Sequence, residues 1–103
     1  MNLIQRIFGT GKRVDFRQLV ENKAAVIDVR AKAEFKTGHI KGAINVPLQE
    51  LARELNTIKK MNRPVITCCA SGIRSGLAKK TLEQAGVEVY NGGGWNSLAS
   101  QLK

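Results

Sequence analysis

The sequence predicts an α/β fold with a mainly parallel central sheet of four to five strands and helices on both faces. Two short, largely apolar runs, residues 24–29 and residues 64–68, have the composition of strands that are buried on both faces. Helix-like segments of roughly ten residues alternate with the strand-like runs. Because strands that alternate with helices form βαβ units, their sheet is expected to be mainly parallel.

Cap and turn residues indicate where the elements of the first half begin and end. Asp15 is suited to cap a short helix, Gly38 to stop a second one, and Pro47 to occupy the first turn of a third. Together with these residues, the apolar pattern predicts the elements of the first half. They are a helix that ends near Asn22, a strand over 24–29, a helix over 31–37, a short strand over 43–46 and a helix over 48–55.

The second half repeats this alternation around a run of three glycines. The pattern predicts a strand over 64–68, a helix over 75–85, a strand over 87–90, glycines at 92–94 and a final helix over 95–102. The glycines either let the backbone approach a ligand or make a tight turn. In sheets of this kind ligands bind at the carboxyl ends of the strands. Cys69 directly follows one predicted strand, so we expect chemistry there.

Length and composition indicate one domain. A chain of 103 residues with 43% hydrophobic residues can bury one small core. We expect a single domain over residues 14–103, preceded by an arm, residues 1–13, that frays or packs on it. Adjacent cysteines cannot form a loop-closing disulfide, which suits a reducing compartment, and no apolar run reaches the roughly 20 residues that span a bilayer. The expected location is the cytoplasm, and the expected state is a monomer.

The charge of the chain favours anionic partners. With 17 basic and 8 acidic residues the formal charge is +9, which attracts anions to the surface. The basic residues form no dense block and aromatic residues are few, so nucleic-acid binding is not expected. The apolar side of the arm is too short to indicate a membrane surface. Binding of nucleic acid or of anionic lipid remains the alternative that this charge leaves open.

The loop after Cys69 has the composition of an anion-binding site. Its residues are Ala70, Ser71, Gly72, Ile73 and Arg74. Successive N–H groups of a short loop can converge on one point, and the next helix adds the positive end of its dipole. Gly72 permits the required backbone conformation, and Arg74 adds permanent positive charge and anchors the loop. We therefore expect the N–H groups to point at a sulfur atom that is open to solvent.

The two cysteines are expected to differ in role. Dipoles that favour an anion lower the pKa of a thiol, so Cys69 is the candidate nucleophile at neutral pH. Alternation along a strand turns Cys68 the opposite way, into apolar packing. The alternative for Cys69 is a buried, inert thiol at the end of a strand. The cysteine spacing and the single histidine do not fit a metal site.

Three ordered motifs carry a family resemblance. They are VIDVRAKAEFKTGHIKGAINVPL from residue 26, CCASGIRS from residue 68 and NGGGWNSL from residue 91. Together they resemble the single-domain rhodaneses, a family of sulfurtransferases, from residue 24 to about residue 98. Each motif alone is weakly specific, but their order along the chain is that of the family.

The resemblance implies a rhodanese-like fold and a persulfide cycle on Cys69. Its thiolate would take the outer sulfur of a small anionic donor, thiosulfate or a persulfide, and pass it to cyanide, glutathione or a protein thiol. The N–H groups of the loop would hold the negative persulfide, and no cofactor is required. Ala70 and Ser71 are small and uncharged where some family members carry basic residues. This difference favours a persulfide over thiosulfate as donor.

Five further residues are candidates for supporting roles. They are Asp28, Arg30, Glu34, His39 and Trp95. Glu34 follows Arg30 by four residues, close enough for an ion pair on a helical turn, and the resemblance implies that this cluster braces the active loop rather than contacting substrate. His39, the only histidine, is either a catalytic base or, as in the family, a structural residue. Trp95 either walls the sulfur pocket or packs on the core.

Two other functions are compatible with these motifs. Cysteine-dependent phosphatases and arsenate reductases use a similar anion cradle, but with five residues between cysteine and arginine, whereas four separate Cys69 from Arg74. The shorter loop fits sulfur better than a tetrahedral oxyanion. The second alternative is a relay module of the same fold that exchanges sulfur only with a protein partner and has no turnover on small molecules.

Overall fold

Four parallel strands form the central sheet of the computed structural model, which describes residues 13–103. They are β1 (Ala25–Asp28), β2 (Ile44–Asn45), β3 (Val65–Cys69) and β4 (Val89–Gly94). Their order across the sheet is β2-β1-β3-β4, and every neighbouring pair is parallel. The predicted α/β class and parallel sheet are therefore confirmed. The predicted arm, residues 1–13, lies outside the described residues except for Arg13.

Helices cover both faces of this sheet. They are α1 (Phe16–Glu21), α2 (Lys32–Thr37), a 3₁₀ turn (Leu48–Glu50) that leads into α3 (Leu51–Met61), α4 (Ile73–Gln84) and α5 (Trp95–Gln101). On one face, α3 and α4 contribute Ile58 and Leu82 to a buried cluster with Ile27 and Val65. On the other face, helices α1 and α5 close a second cluster, which contains Leu98. The prediction of helices on both faces is confirmed.

Strand β3 is one of the two inner strands of the sheet and leads directly to the candidate site. All five of its residues are buried, because strands pair with it on both sides and helices cover both faces. Successive side chains alternate between the faces. Cys68 therefore joins the cluster of Ile66 and Leu98, whereas Cys69 joins the cluster of Val65 and Leu82. The prediction that the two cysteines point in opposite directions is confirmed.

The structure corrects the predicted bounds of two helices. The helix predicted over residues 48–55 begins as a 3₁₀ turn and continues to Met61, because apolar residues recur beyond Leu55 at Ile58. It ends where Asn62 adopts a left-handed conformation, with φ of 54°. Helix α4 begins at Ile73 rather than at residue 75. The end of the predicted loop is thus the first turn of a helix.

The structure also corrects the position of the glycines at 92–94 relative to the strand predicted over 87–90. They do not follow a strand as a separate turn, since β4 runs through them to Gly94. A Cβ atom on Gly92 would lie 2.8 Å from a methyl carbon of Leu98 and 2.9 Å from one of Ile66. Glycine is therefore required at this position for α5 and β3 to pack against the strand.

Candidate active site

The parallel register brings three strand ends to one edge of the sheet. Asp28 at the end of β1 pairs with Cys68, and Cys69 at the end of β3 pairs with Gly94 at the end of β4. Residues that are distant in sequence thus meet at the carboxyl edge of the sheet, where ligands of such folds bind. The candidate site is built on these three ends and on the loop between β3 and α4.

Backbone N–H groups of this loop converge on the sulfur of Cys69. The N–H of Gly72 donates to Sγ at 3.0 Å, and the N–H of Ser75 donates to it at 3.3 Å. Gly72 has φ of 100°, a left-handed conformation that favours glycine, and it is the residue at which α4 starts. Sγ therefore faces the amino-terminal end of α4, where the helix dipole favours negative charge.

Hydrogen bonds outweigh burial in setting the acidity of Cys69. Burial by itself raises the pKa of this thiol, but donors from the Ser75 hydroxyl and from the N–H groups of Ser75, Gly72 and Ser71 stabilise the thiolate, so the net pKa is lowered. Cys68 behaves in the opposite way. Burial and the nearby carboxylate of Asp28 raise the pKa of Cys68 to about 12. Of the two thiols, Cys69 is the one with the character of a nucleophile.

The expectation that the sulfur is open to solvent is wrong for this conformation. Cys69 has 0% of its surface exposed. The next two residues along the chain, Ala70 and Ser71, are exposed. Because Cys69 has no exposed surface, a sulfur donor reaches Sγ only when the atoms around it move.

Glu34 forms its ion pair with Arg74 and not, as the spacing predicted, with Arg30. Its carboxylate oxygens accept from the two terminal nitrogens of Arg74 at 2.7 and 3.0 Å. Its Oε1 also accepts from the N–H of Ala31 at 3.0 Å. These hydrogen bonds, that of Arg74 above all, lower the pKa of Glu34 to about 2. The pair fixes the first turn of α4 to the start of α2.

Arg30 is instead bound to Asp28 in the interior. Asp28 is 0% exposed and Arg30 is 4% exposed. The Nε of Arg30 donates to Oδ1 at 3.0 Å and its Nη2 donates to Oδ2 at 2.7 Å. The remaining donors of Arg30 reach the carbonyl oxygens of Glu34 and Gly38 at 3.3 and 2.7 Å. Arg30 therefore ties α2 to the end of β1, and the hydrogen bonds that it donates to Asp28 raise its pKa.

Trp95 and His39 contact the structural residues around the site. The Cζ of Arg30 lies 4.8 Å from the centre of the Trp95 ring, and Trp95 packs on the core cluster that contains Leu98. This placement favours the second of its two alternatives. His39 stacks on Phe35 at 3.7 Å, and its Nδ1 donates to the Phe35 carbonyl oxygen at 2.7 Å. Both rings are thus held by neighbours around α2, in bracing positions.

Two residues of the site were missed by sequence reasoning. Ser75 supplies both an N–H and a hydroxyl at Sγ, and its Oγ donates to Oδ1 of Asn91 at 2.7 Å. Asn91 in turn donates from Nδ2 to the carbonyl oxygen of Gly72 at 3.2 Å. Both are polar residues at the carboxyl edge of the sheet, one in the first turn of a helix and one in a strand. That position is the signal that could have found them.

Residues 13–103 contain neither a membrane-spanning helix nor a cluster of metal ligands. None of the helices within this range has the length and apolar content needed to cross a bilayer. Three His, Cys, Asp or Glu side chains do not come together anywhere in the same range in a way that could hold a metal ion.

Comparison with known proteins shows the family of this chain. The model of the Rhodanese-like domain matches residues 13–101. An uncharacterized protein of Bacillus subtilis, YqhL, is 41% identical over 101 residues, which are 96% of this chain and 79% of that protein. Thiosulfate sulfurtransferase PspE of Escherichia coli is 37% identical over 75 residues, with 71% of this chain and 72% of PspE covered. A solved structure described as a rhodanese with anions from Escherichia coli superposes with a TM-score of 0.66 and 36% identity, covering 72% and 89% of the two chains.

Proposed function

The chain belongs to the rhodanese-like domain family, and from that premise we propose that it is a sulfurtransferase that carries a sulfur atom on Cys69. The observation that supports this proposal is the convergence of the N–H groups of Gly72 and Ser75 on Sγ. Donors fixed in advance around one sulfur stabilise negative charge there without any reorganisation. Thiosulfate sulfurtransferases among its relatives agree with this reaction class.

The reaction takes place in two displacements at sulfur. In the first, the thiolate of Cys69 attacks the outer sulfur of thiosulfate or of a persulfide, a new S–S bond forms, and the old S–S bond breaks with its electron pair on sulfite or on the donor thiolate. In the second, cyanide or a thiolate attacks the outer sulfur of the Cys69 persulfide. That step releases the Cys69 thiolate, so no external oxidant or reductant is consumed.

The residues 70–74, which form the cradle around the sulfur, have distinct roles in this proposal. Ala70 and Ser71, which follow Cys69, are the exposed rim of the proposed site, and neither carries charge. Gly72 and Ile73 turn the chain into α4, and Arg74 holds that turn against Glu34. An uncharged rim offers no cation to thiosulfate, a dianion, so a persulfide is the preferred donor. All of these residues come from one chain, so the proposed site requires no second copy.

The supporting residues act by holding the edge of the sheet. Asp28 and Arg30 form a buried pair at the end of β1, next to the strand that carries Cys69. His39 and Trp95 pack around α2 and Arg30. We propose that none of the four exchanges a proton with substrate. Both cysteines are free, in agreement with a reducing compartment, and we propose the cytoplasm.

Phosphatase or arsenate chemistry is less well supported. Those reactions need an arginine that grips the oxygens of a tetrahedral anion held in the cradle. Here four residues separate Cys69 from Arg74, and the guanidinium of Arg74 is already bound at two points by Glu34. The relay module without small-molecule turnover has a specific observation in its favour, because the sulfur is 0% exposed. A docked protein partner would then open the loop.

Mass spectrometry of the intact protein tests the proposal. After exposure to glutathione persulfide, the wild-type chain should gain one sulfur, the added mass should map to Cys69, and cyanide should remove it. Steady-state assays with thiosulfate and with glutathione persulfide then measure the donor preference. A higher kcat/KM for thiosulfate would overturn the donor assignment. A chain that gains sulfur but does not turn over with any small acceptor would be the relay module, and a chain that gains none would refute the function.

A further inference from the structure

The side chain of Asn91, in β4, makes three hydrogen bonds, two of which reach the loop and helix around Cys69. Its Oδ1 accepts from the Ser75 hydroxyl at 2.7 Å and from the N–H of Gly93 at 2.9 Å. Its Nδ2 donates to the carbonyl oxygen of Gly72 at 3.2 Å. The N–H of Gly93 can only donate, and the carbonyl oxygen of Gly72 can only accept. The side-chain amide of Asn91 therefore has one orientation. Its oxygen is therefore held towards Ser75.

The Ser75 hydroxyl lies between two atoms that compete for its single hydrogen. Its Oγ is 2.7 Å from Oδ1 of Asn91 and 3.4 Å from Sγ of Cys69. Ser75 is 0% exposed, so water does not supply another partner. The amide oxygen can only accept, whereas a thiol can donate. In the resting state the hydrogen of Ser75 lies towards Asn91, and the thiol hydrogen of Cys69 lies towards Oγ.

This arrangement must change when the sulfur becomes an anion. A thiolate has no hydrogen to donate and only accepts, so the Ser75 hydroxyl can bond to it only by turning its hydrogen away from Asn91. Oδ1 of Asn91 then keeps its bond from the N–H of Gly93. The two arrangements use the same atoms and differ by the rotation of one hydroxyl group.

Building on the proposed sulfur transfer, we propose that Asn91 is a positioning residue that controls the charge on Cys69 through the Ser75 hydroxyl. When the thiolate forms, Asn91 yields the hydrogen of Ser75 to Sγ. Formation of the persulfide moves the negative charge one atom outward, and the hydroxyl returns to Asn91. The hydroxyl thus follows the charge through the cycle, and Asn91 sets how readily the resting thiol ionises.

Asn91 has a second effect on the pKa of Cys69, opposite in sign to the first, and a test must separate the two effects. Its bond to the carbonyl oxygen of Gly72 helps to hold the cradle against β4, where a Cβ on Gly72 would lie only 3.3 Å from the Cα of Gly93. Loosening this contact would spread the N–H donors and raise the pKa of Cys69. Removing the competition for the Ser75 hydrogen would lower it. The direction of the change therefore tells which effect dominates.

The experiment is a double-mutant cycle with Asn91→Ala, Ser75→Ala and the double variant. The thiolate is titrated by its ultraviolet absorbance, and the rate of iodoacetamide alkylation at Cys69 is measured at a pH well below the thiol pKa. Cys68 does not interfere, because burial and Asp28 raise the pKa of Cys68 to about 12. Neither readout requires turnover, so the result stands whether or not the chain transfers sulfur.

In the chain that keeps Ser75, Asn91→Ala should lower the pKa of Cys69 and speed alkylation about threefold. This is the factor expected for removing one competing hydrogen bond. In the Ser75→Ala chain the same change should give no acceleration. Asn96→Ala, at an exposed asparagine, is the matched control and should change nothing. Asn91→Leu, which is close to asparagine in volume but cannot accept, serves if the alanine variant does not fold. Unchanged or slower alkylation in the Ser75 chain, or an equal change in both chains, would overturn the proposal.

Discussion

Arg74 and Glu34 meet across 40 residues of sequence, with Nη1 2.7 Å from Oε1 and Nη2 3.0 Å from Oε2. The pair joins the first turn of α4, which carries the sulfur cradle, to α2. Because both terminal nitrogens are engaged, the contact fixes the orientation of the Arg74 side chain as well as its distance. The loop around Cys69 is thereby anchored at its far end.

Replacing Arg74 by lysine should impair sulfur transfer while leaving the chain folded. A lysine keeps the charge but cannot bind both carboxylate oxygens of Glu34, so the cradle donors shift from Sγ. We expect kcat/KM to fall by about tenfold to a hundredfold, the usual effect of misplacing a catalytic donor by up to about 1 Å. The control is Lys79→Ala, which removes another ion pair of the same helix, 2.8 Å from Glu83. Equal losses in the two variants would contradict the anchoring role.

The two cysteines should respond differently to serine substitution. Cys69→Ser should abolish sulfur transfer, because a serine hydroxyl neither ionises at neutral pH nor forms a persulfide. Cys68→Ser should retain most of the activity, since Cys68 faces the opposite core and burial first, then Asp28, raises its pKa to about 12. Steady-state kinetics with glutathione persulfide measure both variants. A comparable loss of activity in the two variants would contradict the assignment of Cys69 as the nucleophile.

Stability in acid should depend on Glu34. Hydrogen bonds from Arg74 and from the N–H of Ala31 lower the pKa of Glu34 from 4.5 to about 2 in the folded chain. A carboxyl whose pKa is lower when folded stabilises the chain above its unfolded pKa, and this stabilisation is lost as the pH falls towards the folded value. Urea midpoints should therefore decline between pH 4.5 and about 2. In Glu34→Gln this part of the decline should be absent, whereas Glu83→Gln should leave it intact.

The buried pair of Asp28 and Arg30 should matter more for stability than any exposed pair. Arg30→Leu removes the ion-pair partner of the Asp28 carboxylate, which is 0% exposed, and leaves it only the backbone N–H of residue 30 as a donor. Such a loss typically costs about 3–5 kcal/mol of unfolding free energy. Arg53→Leu is the control, because the Arg53 side chain is 75% exposed and 3.8 Å from Glu50, and it should cost less than about 1 kcal/mol. Urea denaturation would contradict the assignment if both variants lost the same amount.

The sequence predicted the elements whose signals are local. The buried strands were evident as continuous apolar runs, and the alternation along β3 was enough to separate Cys68 from Cys69. The loop after Cys69 was recognisable because a glycine and small residues lie between a strand and a helix. Such features depend on neighbours in sequence, so no knowledge of the tertiary structure was needed.

Contacts between distant elements could not be predicted in the same way. The spacing of Arg30 and Glu34 suits a pair on one helix, but Arg30 lies before α2 and turns inward to Asp28, which leaves Glu34 for Arg74. The role of Asn91 could not be predicted either, because its partners Ser75 and Gly72 come near it only when β4 lies beside the loop around Cys69. The glycines of β4 were expected outside the strand because glycine has no strand propensity of its own. Their role is visible only from what lies against them.

Alanine at Gly94 should disturb the cradle, whereas alanine at Gly92 should disturb the core. A Cβ on Gly94 would lie 2.9 Å from the carbonyl oxygen of Ala70, so the loop must move. A Cβ on Gly92 would instead lie 2.8 Å from a methyl carbon of Leu98. Gly94→Ala should therefore lower kcat/KM by about tenfold or more with a smaller loss of stability, because misplaced donors no longer stabilise the sulfur anion. Gly92→Ala should lose about 1–3 kcal/mol of unfolding free energy by overpacking. Measuring both quantities in both variants separates the two roles, and a Gly94→Ala chain with normal kinetics would mean that the loop over Cys69 tolerates displacement.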